Sequence, residues 1–559
     1  MSETTGDLIS RIYTSFRGVD FRGEEISLVR SPDALNVWRD YRKTASIETR
    51  PGMALATSFD DTVYGIYFYK NMMIVHSGVN LYKVVDGETS SLYTGLNAAA
   101  SDAFTYENVW YFKDGKNYLR YDGETVGAVA GYVPTTSIAR KAAGGGTIHE
   151  DVNFLTGRRI NTFLGDGESV DFCLDAKEID ADFTPIVTVN GVETSDFTVD
   201  FAEGKITFKE APEAPLTDGQ DNVSVEFKKT IVGYSERILG CNMLQVFDNR
   251  VFVSGNKDYP NTVWHCSLND PTYFSDLDYY REGLDEARVM GMVAGNNALW
   301  VFREPSQANT TVFYHTPTID GEYGKIYPSQ HSSVTAGCVG KAINFNDDIV
   351  FFSDRGMEGI SGDITTEQAV AHRSSLVDRK LLSEVSYGNM VLEEWEGYLM
   401  VFVGDKVFLA DSRSVLSNES HTEYEWFYWE LDKKVTCAKV YGGVLYLGTE
   451  DGVYTLTDTE KAVESYWVTP KDKFKAPHLL KTTNKRGCVV EAEGDISVYA
   501  KVEDTGFELI GSYQGVTDYF ACRIKRKKWK DIQLKFYSKS RFRLESATLE
   551  AFLGGYIKR

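Results

Sequence analysis

The chain has no apolar run approaching the ~18–20 residues that a membrane-spanning helix requires, so no helical bilayer span is expected. Cysteine is scarce, at seven residues in 559. Cys173, Cys241, Cys266, Cys338, Cys437, Cys488 and Cys522 are odd in number, far apart and without a C-x-x-C pair. That spacing argues against a disulfide framework or zinc site and for scattered buried thiols. The opening Met1-Ser2-Glu3-Thr4-Thr5-Gly6-Asp7 is polar and acidic, unlike a secretory leader.

Catalytic signatures are also missing. The eight histidines form no H-E-x-x-H or other metal-spaced cluster. His76 and His265 lie in or beside strand-like runs and read as structural. There is no G-x-S-x-G elbow, no phosphate-binding G-x-x-x-x-G-K-[ST] loop and no D-x-D-x-D-G calcium loop. Gly144-Gly145-Gly146 lacks the following lysine and reads as a linker. Asp347-Asp348 is explained by a hairpin turn. Asp354, Glu358, Glu393 and Glu394 could pair as glycosidase carboxylates, but in so acidic a chain such pairs arise by chance. The expectation is a protein that is not an enzyme and has no cofactor or metal.

The composition that is present favours β structure. Aromatics make up 13% of the chain, with 33 Tyr, 31 Phe and 48 Gly, without helical periodicity. The length is enough for three or four domains. The net charge is −22, unevenly spread. From Lys471 to Arg559 there are 19 Lys+Arg against 11 Asp+Glu, a net of +8, leaving −30 for the rest. Most of the surface should therefore repel nucleic acid.

One pattern recurs seven times: a two-residue turn, then four mostly apolar residues. The turns are Lys70-Asn71, Glu107-Asn108, Asp248-Asn249, Asn296-Asn297, Asp347-Asp348, Glu396-Gly397 and Gly442-Gly443. Each favours positive φ, and each following run suits a strand buried on both faces. A further turn and strand often follow, as at Asp405–Leu409 and Gly452–Leu456. Successive turns are spaced by 37, 141, 48, 51, 49 and 46 residues, near the ~40–50 residues of a propeller blade. The outlier becomes regular if residues 141–232 are an insertion.

The expected fold is thus all-β. A β-propeller of about seven blade-like units spans 53–140 and 233–463. The insertion 141–232 alternates with period two between Gly, Asn and Asp turns and reads as a small β-sandwich. Residues 464–559 read as a basic C-terminal β-sandwich, and 1–52 as an extended arm with short strands. An irregular β-sandwich with similar hairpins is the rival architecture.

Three stretches carry a family resemblance. They are Phe16-Arg17-Gly18-Val19-Asp20-Phe21, Ser31-Pro32-Asp33-Ala34-Leu35-Asn36-Val37 and Glu48-Thr49-Arg50-Pro51-Gly52. In this order they resemble the opening of tail nozzle proteins of short-tailed phages, also called tail tubular protein B or packaged-DNA stabilisation protein. The Phe163–Phe227 pattern resembles small β-domains of phage tail proteins. Tyr466-Trp467-Val468-Thr469-Pro470, Pro477-His478 and the basic strand pairs after them resemble the C-terminal sandwich of the nozzle proteins. The resemblance implies a virion component assembled in the host cytoplasm, often a hexameric ring around the DNA channel below portal and adaptor proteins. It gives Gly18, Asp20, Asn36, Arg50, Pro51 and Gly52 structural roles. No channel-closing loop matches particular residues.

Further expectations follow. Double-stranded DNA would pass an acidic channel wall without sequence-specific binding. The basic residues Arg523, Lys525, Arg526, Lys527, Lys528 and Lys530 would dock on acidic neighbours; a solvated strand edge that discourages aggregation is the plainer reading. The insertion would offer a surface to tail fibres. The alternative function is a carbohydrate-binding propeller acting as a receptor-binding or fibre-adaptor protein. Its stacking residues would come from Trp264, Trp300, Trp395, Trp426 and Trp429, with Trp426 and Trp429 foremost, although packing within buried strands is the plainer reading of all five. A propeller glycosidase is the third reading.

Overall fold

In a computed structural model, residues 7–23, 26–42, 46–307, 310–321, 324–360, 370–418, 421–457, 463–525 and 528–556 are described. Tight turns set the architecture. Lys70–Asn71, Glu107–Asn108, Asp248–Asn249, Asn296–Asn297, Asn346–Asp347, Glu396–Gly397 and Gly442–Gly443 each hold both central residues at positive φ. That is the type I′ geometry, whose twist matches that of the flanking strands. The fifth turn falls one residue earlier than the sequence suggested. Asparagine tolerates the left-handed region, so Asn346 takes the first central position and Asp348 opens strand Asp348–Ser353. The Asp348 carboxylate then accepts a 2.8 Å hydrogen bond from Arg373 Nε.

Each turn joins the first two strands of a four-stranded antiparallel sheet, and seven such sheets occur among the described residues. The fold is all-β, a β-propeller class with seven blade-like units. The strands after the turns are the most apolar and the most buried. Ala298–Arg303 and Tyr398–Val403 are buried at every position. This is why the sequence shows continuous apolar runs there and not alternation.

The chain divides into two compact units, Met1–Ser91 with Ser332–Arg559, and Leu92–His331. The first holds four blades and the terminal sheet. One of these blades has the strand order Cys437–Tyr441, Val444–Gly448, Gly452–Thr457 and then Gly52–Ser58. Its outermost strand is thus supplied from the start of the chain. The second unit holds three blades and the insertion.

The insertion builds two sheets. One has six strands, including Arg158–Phe163, Val223–Lys228 and Ile186–Val189; the other has three, Asp171–Cys173, Lys205–Phe208 and Phe197–Asp200. Phe163, Phe172, Val187, Ile206, Val225 and Phe227 fill the core between them. The six-stranded sheet starts with Thr135–Arg140, slightly before the expected boundary. Residues after it return to the blade: Asn153 Nδ2 donates to the carbonyls of Tyr132 and Thr272 at 2.9 Å, and Phe154 packs with Trp264 and Phe274.

The terminal domain is one ten-stranded sheet. Its longest strand, Leu479–Val502, pairs along its first part with Phe542–Tyr556 and along its second with Ile532–Ser538. Gly494, at φ 89°, marks the change between the two. A Cβ there would lie 2.3 Å from the Arg541 carbonyl oxygen. Strands that change partners at such irregularities turn the corners of sandwiches. The arm is also part of this domain: Leu8–Tyr13, Ala34–Leu35, Val37–Trp38 and Ile47–Thr49 all join the sheet. Buried Tyr13, Val37, Ile47 and Trp467 share one core with Leu534, Phe536 and Leu549.

Candidate functional site

The arm residues singled out by the sequence converge on strand His421–Glu430. Gly18 passes so close to this strand that a Cβ would sit 2.1 Å from the Trp426 carbonyl oxygen; its φ is 146°. Only glycine fits such an approach. Asp20 is buried and takes a bidentate pair from Arg22, 3.0 Å from Nε and 2.8 Å from Nη2. Between them in function lies Arg30, absent from the sequence-derived set. It forms a buried two-pronged pair with Glu425, at 2.9 and 2.8 Å, the geometry that makes arginine–carboxylate pairs strong.

Asn36 is the centre of a second cluster. It adopts a left-handed conformation, φ 55°. Its side-chain oxygen accepts from Arg50 Nε and from the Glu430 backbone N–H, both at 2.9 Å. Its amide nitrogen donates to the Glu464 carbonyl at 2.9 Å. The Arg50 guanidinium also donates to the carbonyls of Pro51 and Glu430, each at 2.8 Å. Burial pushes the Arg50 group down to about 10, with Asp432 opposing. Gly52 then begins the strand that completes a blade, opposite Thr457. Arg50-Pro51-Gly52 is therefore a clasp joining arm, blade and terminal sheet.

The tryptophans do not form a platform. Trp426 and Trp429 are fully buried, and Trp264, Trp300 and Trp395 nearly so. Trp426 Nε1 donates to the Arg373 carbonyl at 3.0 Å, and Trp429 Nε1 to that of Val37 at 3.1 Å. Trp38 stacks on Trp395 at 5.3 Å and meets Trp429 edge-on at 5.8 Å. The arm covers this aromatic face, so the run Glu425–Glu430 is packing and not a sugar-binding surface.

Of the candidate carboxylates, Glu358 lies 3.4 Å from His372 Nδ1, and Glu393 accepts from the Val440 N–H at 2.9 Å. Asp378 lies 2.6 Å from His372 Nε2. Burial alone would depress this imidazole, but the two carboxylates push it up to about 10. His265 is moved the other way, to about 4, by burial. His76 is buried, with Nε2 3.2 Å from the Gly78 carbonyl. All three histidines have structural partners. Among the described residues no group of three or more His, Cys, Asp or Glu has the geometry to hold a metal ion.

The basic residues form a surface. Arg523, Lys525, Lys528 and Lys530 are exposed and alternate with buried Cys522, Ile524 and Trp529. Arg526 and Lys527 lie outside the described residues. A second comb, missed as a site, sits beside it: Lys471, Lys473 and Lys475 are exposed between buried Asp472, Phe474 and Ala476. Paired Asp472–Ile532 backbone hydrogen bonds, at 2.9 and 3.2 Å, hold the two segments together. Phe474 packs edge-on to Trp529 at 5.3 Å. The period-two K-D-K-F-K pattern was legible; its proximity to Lys528 and Lys530 was not.

No protein-family model matches this chain, and no curated protein does. Several solved structures are similar in part. BamB from Moraxella catarrhalis is 10% identical, over 75% of this chain and 92% of that one, with a TM-score of 0.34. Kluyveromyces lactis Hsv2 is 8% identical, over 74% and 95%, with a TM-score of 0.32. PorZ of Porphyromonas gingivalis is 12% identical, over 82% and 70%, with a TM-score of 0.26. These values are too low to carry function from any of them.

Proposed function

We propose that this chain is a structural component of a bacteriophage tail, a nozzle or hub ring that lines part of the DNA exit channel. Its work is geometric: rigid β-domains hold packaged DNA and later let it pass. The observation that carries this reading is the clasp. The three arm stretches that resemble the nozzle family come together on one strand, where Gly18, Asn36 and Arg50 each have a defined structural task.

Charge supports assembly into a ring. Residues 141–232 carry 18 Asp+Glu against 8 Lys+Arg, whereas residues 471–559 carry a net of +8. Opposite signs on separate domains suit a heterologous contact between copies, and such contacts form rings when their rotation closes. The acidic remainder gives passing DNA few phosphate contacts. The portal or adaptor would be a neighbour of the same assembly.

The test is immunogold labelling of native particles with antibody to this chain, with sedimentation of the same particles. Label at the tail and co-sedimentation support the reading. Protein confined to the soluble fraction overturns it.

A fibre-adaptor propeller is the second reading, favoured by an open groove of about 500 Å³ on the insertion. Val189, Val192 and Phe208 supply apolar walls, and Glu193, Asp196 and Glu210 supply charge. Its test is a double excision of 136–149 and 158–228, which spares the blade-packed Glu150–Gly157 segment. The cut ends already meet, through Glu150 N–H to the Thr135 carbonyl at 3.0 Å and Lys229 N–H to that of Gly157 at 2.8 Å. Loss of fibres from particles that still carry the truncated chain supports this reading; unchanged fibre occupancy defeats it.

A further inference from the structure

Two of the seven cysteines face each other. Cys488 on strand Leu479–Val502 and Cys522 on strand Tyr519–Cys522 are direct partners in antiparallel register. Directly opposed residues in such a ladder hold their Cβ atoms about 4.5–5.5 Å apart, close to the ~3.5–4.5 Å that a disulfide spans. Both are free and buried. Among the described residues no other cysteine meets a cysteine across a strand pair; Cys173 faces Lys205 and Cys437 faces Gly448.

The edge of the sheet gives access. Tyr519–Cys522 is four residues long and, among the described residues, pairs only with Leu479–Val502. Tyr519 and Ala521 are exposed. Short marginal ladders open at a small fraction of the cost of global unfolding. In the closed sheet the Cys522 thiol, and then burial, hold the Cys488 thiol well above its usual range. The pair is therefore inert until the edge lifts, because the thiolate is the nucleophile.

We propose that Cys488 and Cys522 are an oxidative modification site, which reacts with small-molecule disulfides to close a cross-strand bond. One cysteine thiolate attacks a sulfur of the small disulfide and expels one thiol, leaving a mixed disulfide. The second cysteine thiolate attacks the protein sulfur of that adduct and expels the other. Two protein thiols lose two electrons and two protons, and the small disulfide becomes two thiols. Cys522 immediately precedes Arg523, so closure pins the root of the exposed basic segment to a central strand. The site does not depend on the tail reading.

The test uses the reduced full-length protein incubated with oxidised glutathione. The expected result is a fall of two free thiols, no retained glutathione and a peptide linking Cys488 to Cys522, all reversed by dithiothreitol. The thermal transition of the oxidised protein should rise, and Cys522→Ser should abolish both the link and the rise. An unchanged thiol count, glutathione retained on either cysteine, or a link to a different cysteine would overturn the proposal.

Discussion

The side-chain oxygen of Asn36 accepts two hydrogen bonds at once, from Arg50 Nε and from the Glu430 N–H. One carboxamide thus ties the arm to the end of a blade strand some four hundred positions later in the chain. Arg50 completes the arrangement by reaching past Asn36 to the Glu430 carbonyl.

Arg50→Met should therefore destabilise the first unit. The methionine fills much of the space but removes the donors to the Pro51 and Glu430 carbonyls, while Asn36 keeps the Glu430 N–H; each buried group left unsatisfied costs about 1–3 kcal/mol. Urea denaturation followed by tryptophan fluorescence measures it, because Trp38, Trp395 and Trp429 adjoin this region. An unchanged midpoint would show that the clasp contributes nothing.

The Arg30–Glu425 pair should show strong coupling. Breaking a buried pair from one side costs about 3–5 kcal/mol, whereas replacing both partners with apolar groups is often neutral. Arg30→Met and Glu425→Leu should each be severe, and the double variant should recover most of the loss. A double-mutant cycle in chemical denaturation reads the coupling; additive effects would contradict it.

His372 should make stability fall at high pH. Its folded value, about 10, lies above the ordinary 6.5. A raised value means that the folded state binds the proton more tightly, so the contribution is complete below about 6.5 and is lost as pH rises through 10. His372→Gln should flatten the stability profile across that window in thermal scans. A wild-type profile already flat there would remove the charged pair from consideration.

The lysine combs distinguish docking from solvation. Reversing Lys473, Lys475, Lys528 and Lys530 to Glu should change the melting temperature little, because exposed positions away from special features usually matter by about ±0.5 kcal/mol. The same variant should lose salt-sensitive recovery with sedimenting particles. Full recovery would leave the basic surface with a purely solubilising role.

Much of the fold was legible because it is local. Type I′ turns need residues that tolerate positive φ, and six of the seven pairs were placed at the right position. The fifth slipped because Asn346, Asp347 and Asp348 are all good turn formers. The arm was legible as irregular but not as part of a sheet: its strands Ala34–Leu35, Val37–Trp38 and Ile47–Thr49 are too short to show a period. The tryptophans are buried, as the strand-packing reading expected, but what covers them was not legible. Composition records that Trp426 and Trp429 are aromatic, but only the arm folded over them decides that they are covered. The facing of Cys488 and Cys522 was hidden in the same way, by register between distant segments.

The blade completed by Gly52–Ser58 has a consequence for the order of biosynthesis. That strand leaves the ribosome about four hundred residues before its partner Gly452–Thr457. Leu8–Tyr13 waits longer still, for Phe542–Tyr556. Contacts of such sequence separation form slowly, and unpaired strand edges are prone to aggregate while they wait. The three blades and the insertion of the second unit draw their strands from residues 102–331 alone and can mature during translation. The first can close only after Phe542–Tyr556 has been made, so a chain truncated before that strand should emerge with Leu8–Tyr13 unclaimed.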